Sequence, residues 1–203
     1  MHPNQIFRQT PRMTAIDFAQ SIGFGTLIIT NNSDPVLSHL PFVIEDDHID
    51  MHLVRSNPIA RAVTSATNAK LAVTGPHGYI SPDWYGTEDQ VPTWNYTAVH
   101  FSGRLTPLPS EQLEDVLNSI SAEFEQRLLP KTPWTTEKMD NDVRVKMMRM
   151  IQPFRFEIED METTFKLNQN KSETVRHSAA SKVAESSVGQ ETQQLSAFMR
   201  DAN

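Results

Sequence analysis

The first half of the chain alternates apolar and polar residues with a period of two, and turn residues break the alternation at short intervals. Phe24-Gly25-Thr26-Leu27-Ile28-Ile29-Thr30 is a β-branched run that stops at Asn31-Asn32-Ser33-Asp34-Pro35. Val36 to Ile44 reads as the next strand. Asp46-Asp47 reads as a turn, and His48 to Val54 as a third strand. Together the three predict an antiparallel meander. A short helix over Ala15 to Ile22 precedes them, signalled by Thr14 and Asp17 in capping-box spacing and closed by Gly23. After Asn57-Pro58 the period changes to that of a helix running to about Thr67, because Asn caps well and Pro suits the first helical position. Lys70 to Thr74 returns to strand, and the glycines and prolines from Gly75 to Asp83 read as a long loop. Asn95 to Leu105 alternates again, with Thr97, Val99, Phe101 and Gly103 on one face.

The second half opens with a helix. Leu113, Val116, Leu117, Ile120, Phe124 and Leu128 form a 3.6-residue stripe over Ser110 to Leu129. A further helix is predicted from about Asp140 to Met150, with Met147, Met148 and Met150 as gap-filling core. Phe154, Phe156 and Ile158 alternate with charged residues in a late strand. Beyond Asn170 the sequence turns polar, leaving two weak stripes (Val175, Ala179, Val183 and Leu195, Phe198, Met199) that predict a helical or partly mobile tail over 171–203. About six short strands with peripheral helices over residues 1–170 predict a mainly β (α+β) chain closed into a small antiparallel barrel. The mouths of such barrels are natural ligand sites.

Composition narrows the chemistry. Among 203 residues there is no Cys, which excludes disulfides, thiolate metal sites and cysteine nucleophiles. Eighteen basic against 25 acidic residues leave a net charge of −7, which disfavours charge-driven binding to DNA or anionic membrane. No apolar stretch approaches the ~18 residues of a membrane span, and no leader-type apolar run follows Met1, so a cytoplasmic, soluble protein is expected. Five of the six Tyr and Trp residues (Tyr79, Trp84, Tyr85, Trp94 and Tyr96) crowd into one window. Such side chains suit both ligand walls and interfaces.

The seven histidines include His48 and His52 on one strand face, but no metalloprotease spacing accompanies them, and no metal site is expected. There is no nucleophile elbow, no Gly-rich phosphate loop, and no assignable catalytic residue. Arg55-Ser56-Asn57-Pro58 places a cation, a hydroxyl and an amide at a helix start, which reads either as an ordinary N-cap or as a phosphate end. Lys166 in Thr164-Phe165-Lys166-Leu167-Asn168-Gln169-Asn170 is, by itself, an exposed lysine at a strand end.

The ordered set His39-Leu40-Pro41-Phe42, Arg55-Ser56-Asn57-Pro58, Gly75-Pro76 with Tyr79-Ile80-Ser81-Pro82-Asp83-Trp84-Tyr85, Pro92-Thr93-Trp94-Asn95-Tyr96, and Phe165 to Asn170 resembles the PaiB family, described as FMN-binding negative transcriptional regulators. That family is similar to the FMN-binding split barrels, which work as homodimers. The resemblance implies FMN phosphate near Arg55, Ser56 and Asn57, and a strand from His39 through Leu40 and Pro41 along the flavin ring. It also implies a wall of Trp94, Asn95 and Tyr96, with Lys166, Gln169 and Asn170 from the late strand. It favours a flavin-binding regulator or sensor. A flavin-dependent oxidoreductase on a small substrate, of the pyridoxamine phosphate oxidase kind, and a haem-binding split barrel stay open beside it. No helix-turn-helix pattern is present, so direct DNA binding is doubtful.

Overall fold

The computed structural model describes residues 2–202, so Met1 and Asn203, the outer bounds of the two expected domains, lie outside the described residues. The helices are α1 (Arg12–Ile22), α2 (Pro58–Ala62), α3 (Leu113–Gln126), α4 (Asn141–Met148), α5 (Glu173–Val183) and α6 (Thr192–Asp201). The strands are β1 (Phe24–Asn31), β2 (Asp34–Glu45), β3 (His48–Val54), β4 (Thr67–Ile80), β5 (Thr93–Pro107), β6 (Ile151–Lys166) and β7 (Gly189–Gln190). Hydrogen bonding runs in the order β1-β2-β3-β6-β5-β4-β7, and a further β1–β4 pairing joins six of the strands in a ring. The fold is a split β-barrel of antiparallel strands with peripheral helices. No helix among the described residues is long and apolar enough to cross a membrane.

The chain divides into two compact units, and β4, β5 and β6 each contribute to both. One unit comprises Ile16–Val73 and His100–Met161. It holds the predicted meander: Asn31 pairs with Asp34, and Glu45 with His48, across two-residue turns. In the first turn both Asn32 and Ser33 have positive φ, as the hairpin twist requires. Antiparallel pairing of Thr26 with Ala72 and of His48 with Glu157 carries β4 and β6 onto this meander. Leu27, Phe42, Ile49, Met51, Leu71, Phe101, Phe154 and Phe156 are fully buried here, each worth about 1.5–3 kcal/mol of transfer free energy. The α3 stripe covers the sheet, with Val116 and Ile120 packed on Val43.

The other unit comprises Met1–Ala15, Thr74–Val99 and Glu162–Asn203. Its core gathers Ile80, Tyr85, Leu167, Ala179, Ala180, Val183, Leu195 and Met199. Residues beyond 170 therefore form the ordered helices α5 and α6, which supply five of these eight side chains, four of them from the two weak stripes and the fifth Ala180.

Several boundaries move. Helix α1 begins at Arg12, ahead of the capping signal, because the Pro11 carbonyl already accepts the Ala15 N–H at 3.0 Å. Helix α2 ends at Ala62 instead of Thr67. Val63 takes an extended conformation and the Thr67 hydroxyl bonds the Ser65 carbonyl, so local side-chain chemistry stops the helix. The loop expected from Gly75 is strand to Ile80, since β7 pairs with His77 and Gly78. That approach is close: a Cβ on Gly189 would lie 2.2 Å from the His77 carbonyl oxygen, and Gly189 has φ +146. Met147 and Met150 are not core. They are 50% and 56% exposed: no residue of α4 is buried, and Met150 lies in the turn past its end.

Candidate functional site

The residues singled out by sequence fall into two groups, one in each unit. In the meander unit, β2 carries His39, Leu40 and Pro41. Leu40 turns into the core, whereas His39 faces outward. Its Nδ1 lies 2.9 Å from the hydroxyl of Thr26, its cross-strand partner, and its ring stacks beside Phe24 at 6.5 Å. Arg55 and Ser56 form the turn after β3, and Asn57 caps α2: its Oδ1 accepts the Ile59 N–H at 2.8 Å. The Asn57 Nδ2 donates to Ser38 Oγ at 2.9 Å, which fastens the Arg55–Asn57 turn to the strand bearing His39. Arg55 donates through Nε to the Arg149 carbonyl at 3.0 Å and through Nη1 to Gln152 Oε1 at 2.6 Å. Its Nη2 edge lies outside both bonds. The N-cap role of Asn57 is thus real, and the cation of the motif is braced on the start of β6.

Ser38 and Gln152 were missed by sequence reading. Both act through partners far along the chain, and neither carries a local motif.

In the other unit, Thr93, Trp94, Asn95 and Tyr96 open β5, and Lys166 ends β6. Lys166 Nζ donates to the Thr93 hydroxyl and to the Trp94 carbonyl, the latter at 2.8 Å. Burial pushes its pKa below the ordinary lysine value. Far from being a loose strand-end lysine, Lys166 is fastened to the aromatic motif. Trp94 lies 6.0 Å from the His77 ring and 6.4 Å from Tyr79, which in turn meets Trp84 edge-on at 6.4 Å. Tyr96 is half-buried.

Asn95 is 0% exposed, and neither its Oδ1 nor its Nδ2 has a hydrogen-bond partner. A buried amide with both ends unspent is costly and uncommon, and bound ligand or water is the usual explanation.

Not every aromatic residue of the window belongs to a wall. Tyr85 is buried in the core, with its hydroxyl donating to Asn168 Oδ1 at 3.4 Å. Burial raises its pKa, and the Asn168 bond partly opposes that shift. Gln169 is spent on the framework: Oε1 accepts the Leu167 N–H at 2.8 Å, while Nε2 donates to the Phe165 carbonyl at 2.7 Å and the Ile6 carbonyl at 3.4 Å. Asn170 is exposed in the turn that follows. Asn168, with φ +63 and a buried Nδ2 lacking a partner, was not among the expected site residues. Its signal was its type, since Asn tolerates the left-handed region.

A third cluster sits on the β2–β3 hairpin. His48 Nε2 is 3.7 Å from Asp50 Oδ2 and 3.9 Å from Glu45 Oε2. Arg155 clamps Asp50 through both carboxylate oxygens at 2.8 Å. The guanidinium satisfies Asp50 and puts positive charge where a cation would sit. His52, on the same strand face, has a buried Nδ1 without a partner, and burial lowers its pKa.

Residues 1–160 match the family described as "Putative FMN-binding domain". The chain belongs to that family. It is 32% identical over 178 residues to the protease synthase and sporulation protein PAI 2 of Bacillus subtilis, covering 86% of this chain and 84% of that protein. Among solved structures, it is similar to the FAD and haem binding protein of Mycobacterium smegmatis (TM-score 0.58, 15% identity, 79% of this chain and 73% of the other). It is also similar to the flavocytochrome Anf3 of Azotobacter vinelandii (TM-score 0.55, 13% identity, 81% and 72%). At these identities the likeness is one of fold.

Each group by itself has donors of a kind a flavin uses. In the meander unit a braced guanidinium and a hydroxyl suit a phosphate; in the other unit aromatic faces, a cation and an unspent amide suit a polar aromatic ring.

Proposed function

We propose that this protein binds FMN and acts as a flavin-linked regulatory or sensor protein, working as a cytoplasmic homodimer. Arg55 and Ser56 take the phosphate, with Asn57 holding their turn. The strand from His39 to Pro41 runs along the flavin. Trp94, Asn95 and Tyr96 form its wall, Lys166 adds the cation, and Gln169 and Asn170 shape the turn behind it. The observation that carries this reading is the Asn95 amide. A fully buried amide with a free donor and a free acceptor, on the strand whose other face carries Trp94 and Tyr96, suits the paired carbonyl and imide edge of a flavin ring. Bound there, a flavin supplies reversible one- and two-electron transfer. With no cysteine in the chain, redox sensing has no thiol route. The net charge of −7 and the absence of a helix-turn-helix pattern support regulation through a partner over direct DNA contact.

The test is the visible spectrum of the purified protein titrated with FMN and with riboflavin. FMN should bind stoichiometrically with a shifted flavin band. Arg55→Ala should weaken FMN at least ten-fold and leave riboflavin unchanged, because only FMN carries a phosphate. Equal losses for both ligands take Arg55 out of the phosphate role, and no shift with either flavin ends the proposal. Multiple turnover with a nicotinamide reductant and a small acceptor would replace the sensor reading by the oxidoreductase one.

A further inference from the structure

Within the meander unit, α3, the segment from Trp134 to Met139, α4 and the start of β6 border a cavity of about 460 Å³ that is open to solvent on one side. Small-molecule sites fall between roughly 300 and 1,000 Å³. Its walls are Leu117, Trp134, Met139, Met147, Met148 and Ile151. Leu117 lies beside the α3 stripe that serves the core, which uses Leu113, Val116 and Ile120 instead. Four of the chain's nine methionines fall between Met139 and Met150, and three of them line this space. Thioether side chains adapt to irregular ligands and make favourable contacts with aromatic rings.

The charges at the rim are already matched. Arg144 bonds Glu114 through Nη1 and Asn141 Oδ1 through Nη2 at 3.1 Å. A phosphate or carboxylate would find no uncommitted cation in the lining, and an ammonium no uncommitted anion. The walls are also held open by polar braces. The Trp134 N–H donates to Glu125 Oε2 at 2.8 Å, and Lys131 caps the same carboxylate. Lys138 Nζ reaches the Pro133 carbonyl at 3.0 Å, and the Thr136 hydroxyl reaches Asn118 Oδ1 at 3.5 Å. The Lys131 bond and then the Trp134 N–H hold the Glu125 carboxyl below its usual range, which keeps the brace ionised at neutral pH.

From size, lining and charge balance together, we infer that this cavity is a second binding site, taking a neutral and largely apolar small molecule with an aromatic portion. The inference goes beyond the flavin reading, since none of the residues proposed to hold FMN lines this cavity.

The probe is neutral N-phenyl-1-naphthylamine, titrated into the full-length protein with excitation of the indole. One saturable site should appear, with emission sensitised by Trp134. Leu117→Gln, which puts an amide in the wall, and Met148→Trp, which fills the space, should each weaken the probe at least ten-fold. Far-ultraviolet circular dichroism and FMN affinity should be unchanged in both. Leu37→Gln, on an exposed β2 position, should bind the probe as wild type does. The inference is overturned by a signal that does not saturate, by equal loss in Leu37→Gln, or by displacement of the probe with FMN. It is equally overturned if the two cavity variants alter sedimentation while probe affinity stays constant, which would mark the cavity as a contact between copies.

Discussion

Asn95→Leu should make the flavin-free protein more stable while weakening flavin binding. Leucine has the branching and heavy-atom count of asparagine but bulkier, tetrahedral ends, so some overpacking strain sets against the gain in stability. What disappears is the penalty for keeping a donor and an acceptor dry and unbonded, both atoms being buried without partners. Measured costs of such groups run at about 1–3 kcal/mol. Taking about 2 kcal/mol, and about 2–4 °C of Tm per kcal/mol for a chain of 150–250 residues, the flavin-free variant should melt about 4–8 °C higher. The bound form reverses the sign. Loss of one or two hydrogen bonds of about 1–1.5 kcal/mol each should weaken flavin by roughly five-fold to 150-fold. Scanning calorimetry with and without flavin reads both effects. A lower Tm for the flavin-free variant would refute the reasoning, because it would mean that the amide is satisfied within the protein and contributes to its stability.

Further outcomes follow from the same structure. Arg155→Met should cost about 2–3 kcal/mol in urea denaturation, because it strands the buried Asp50 carboxylate between two strands; the guanidinium's part exposure keeps the effect at the low end for an ion pair. Gly103→Ala should cost about 3 kcal/mol, since the added Cβ would stand 1.9 Å from the Glu157 carbonyl oxygen; wild-type stability would disprove so close a contact between β5 and β6. His52 is held neutral by burial below its ordinary pKa of 6.5, so the unfolded chain binds more protons in that window. Stability should therefore be full above pH 6.5 and fall as pH drops below it, and His52→Phe should flatten that slope; an unchanged slope would exonerate His52.

The meander was legible because its alternation and its turn residues agree locally: Asn32 and Ser33 adopt the positive φ that their position demands. The stripe on α3 was legible for the same reason. Pro and Gly misled where tertiary pairing overrode them, as at Gly75-Pro76, where β7 arrives from far along the chain to complete the strand. The methionines of α4 misled differently, since apolar residues near a helix end look alike whether they face a core or a cavity. Of the site, residue types were visible but commitments were not. Gln169 and Arg55 look equally available in the sequence, yet one amide is consumed by backbone groups while the guanidinium keeps an edge. The partners that brace Arg55 lie more than 90 residues away, whereas Gln169 is spent mainly on its own turn, a choice of local partner that residue type alone does not reveal.

The order of synthesis adds a constraint of its own. Every residue of the meander unit has been made by Met161, so its core can close while translation continues. The second core needs Leu195 and Met199 on α6 to cover Ile80 and Tyr85, which are made more than a hundred residues earlier. Until then Ile80 and Tyr85, on the β4–β5 stretch that carries the aromatic cluster, and Leu167, just past β6, have no apolar cover from α6. A stalled or truncated chain would thus leave a core-forming apolar surface uncovered, so the ten residues of α6 decide whether this unit is sticky or closed.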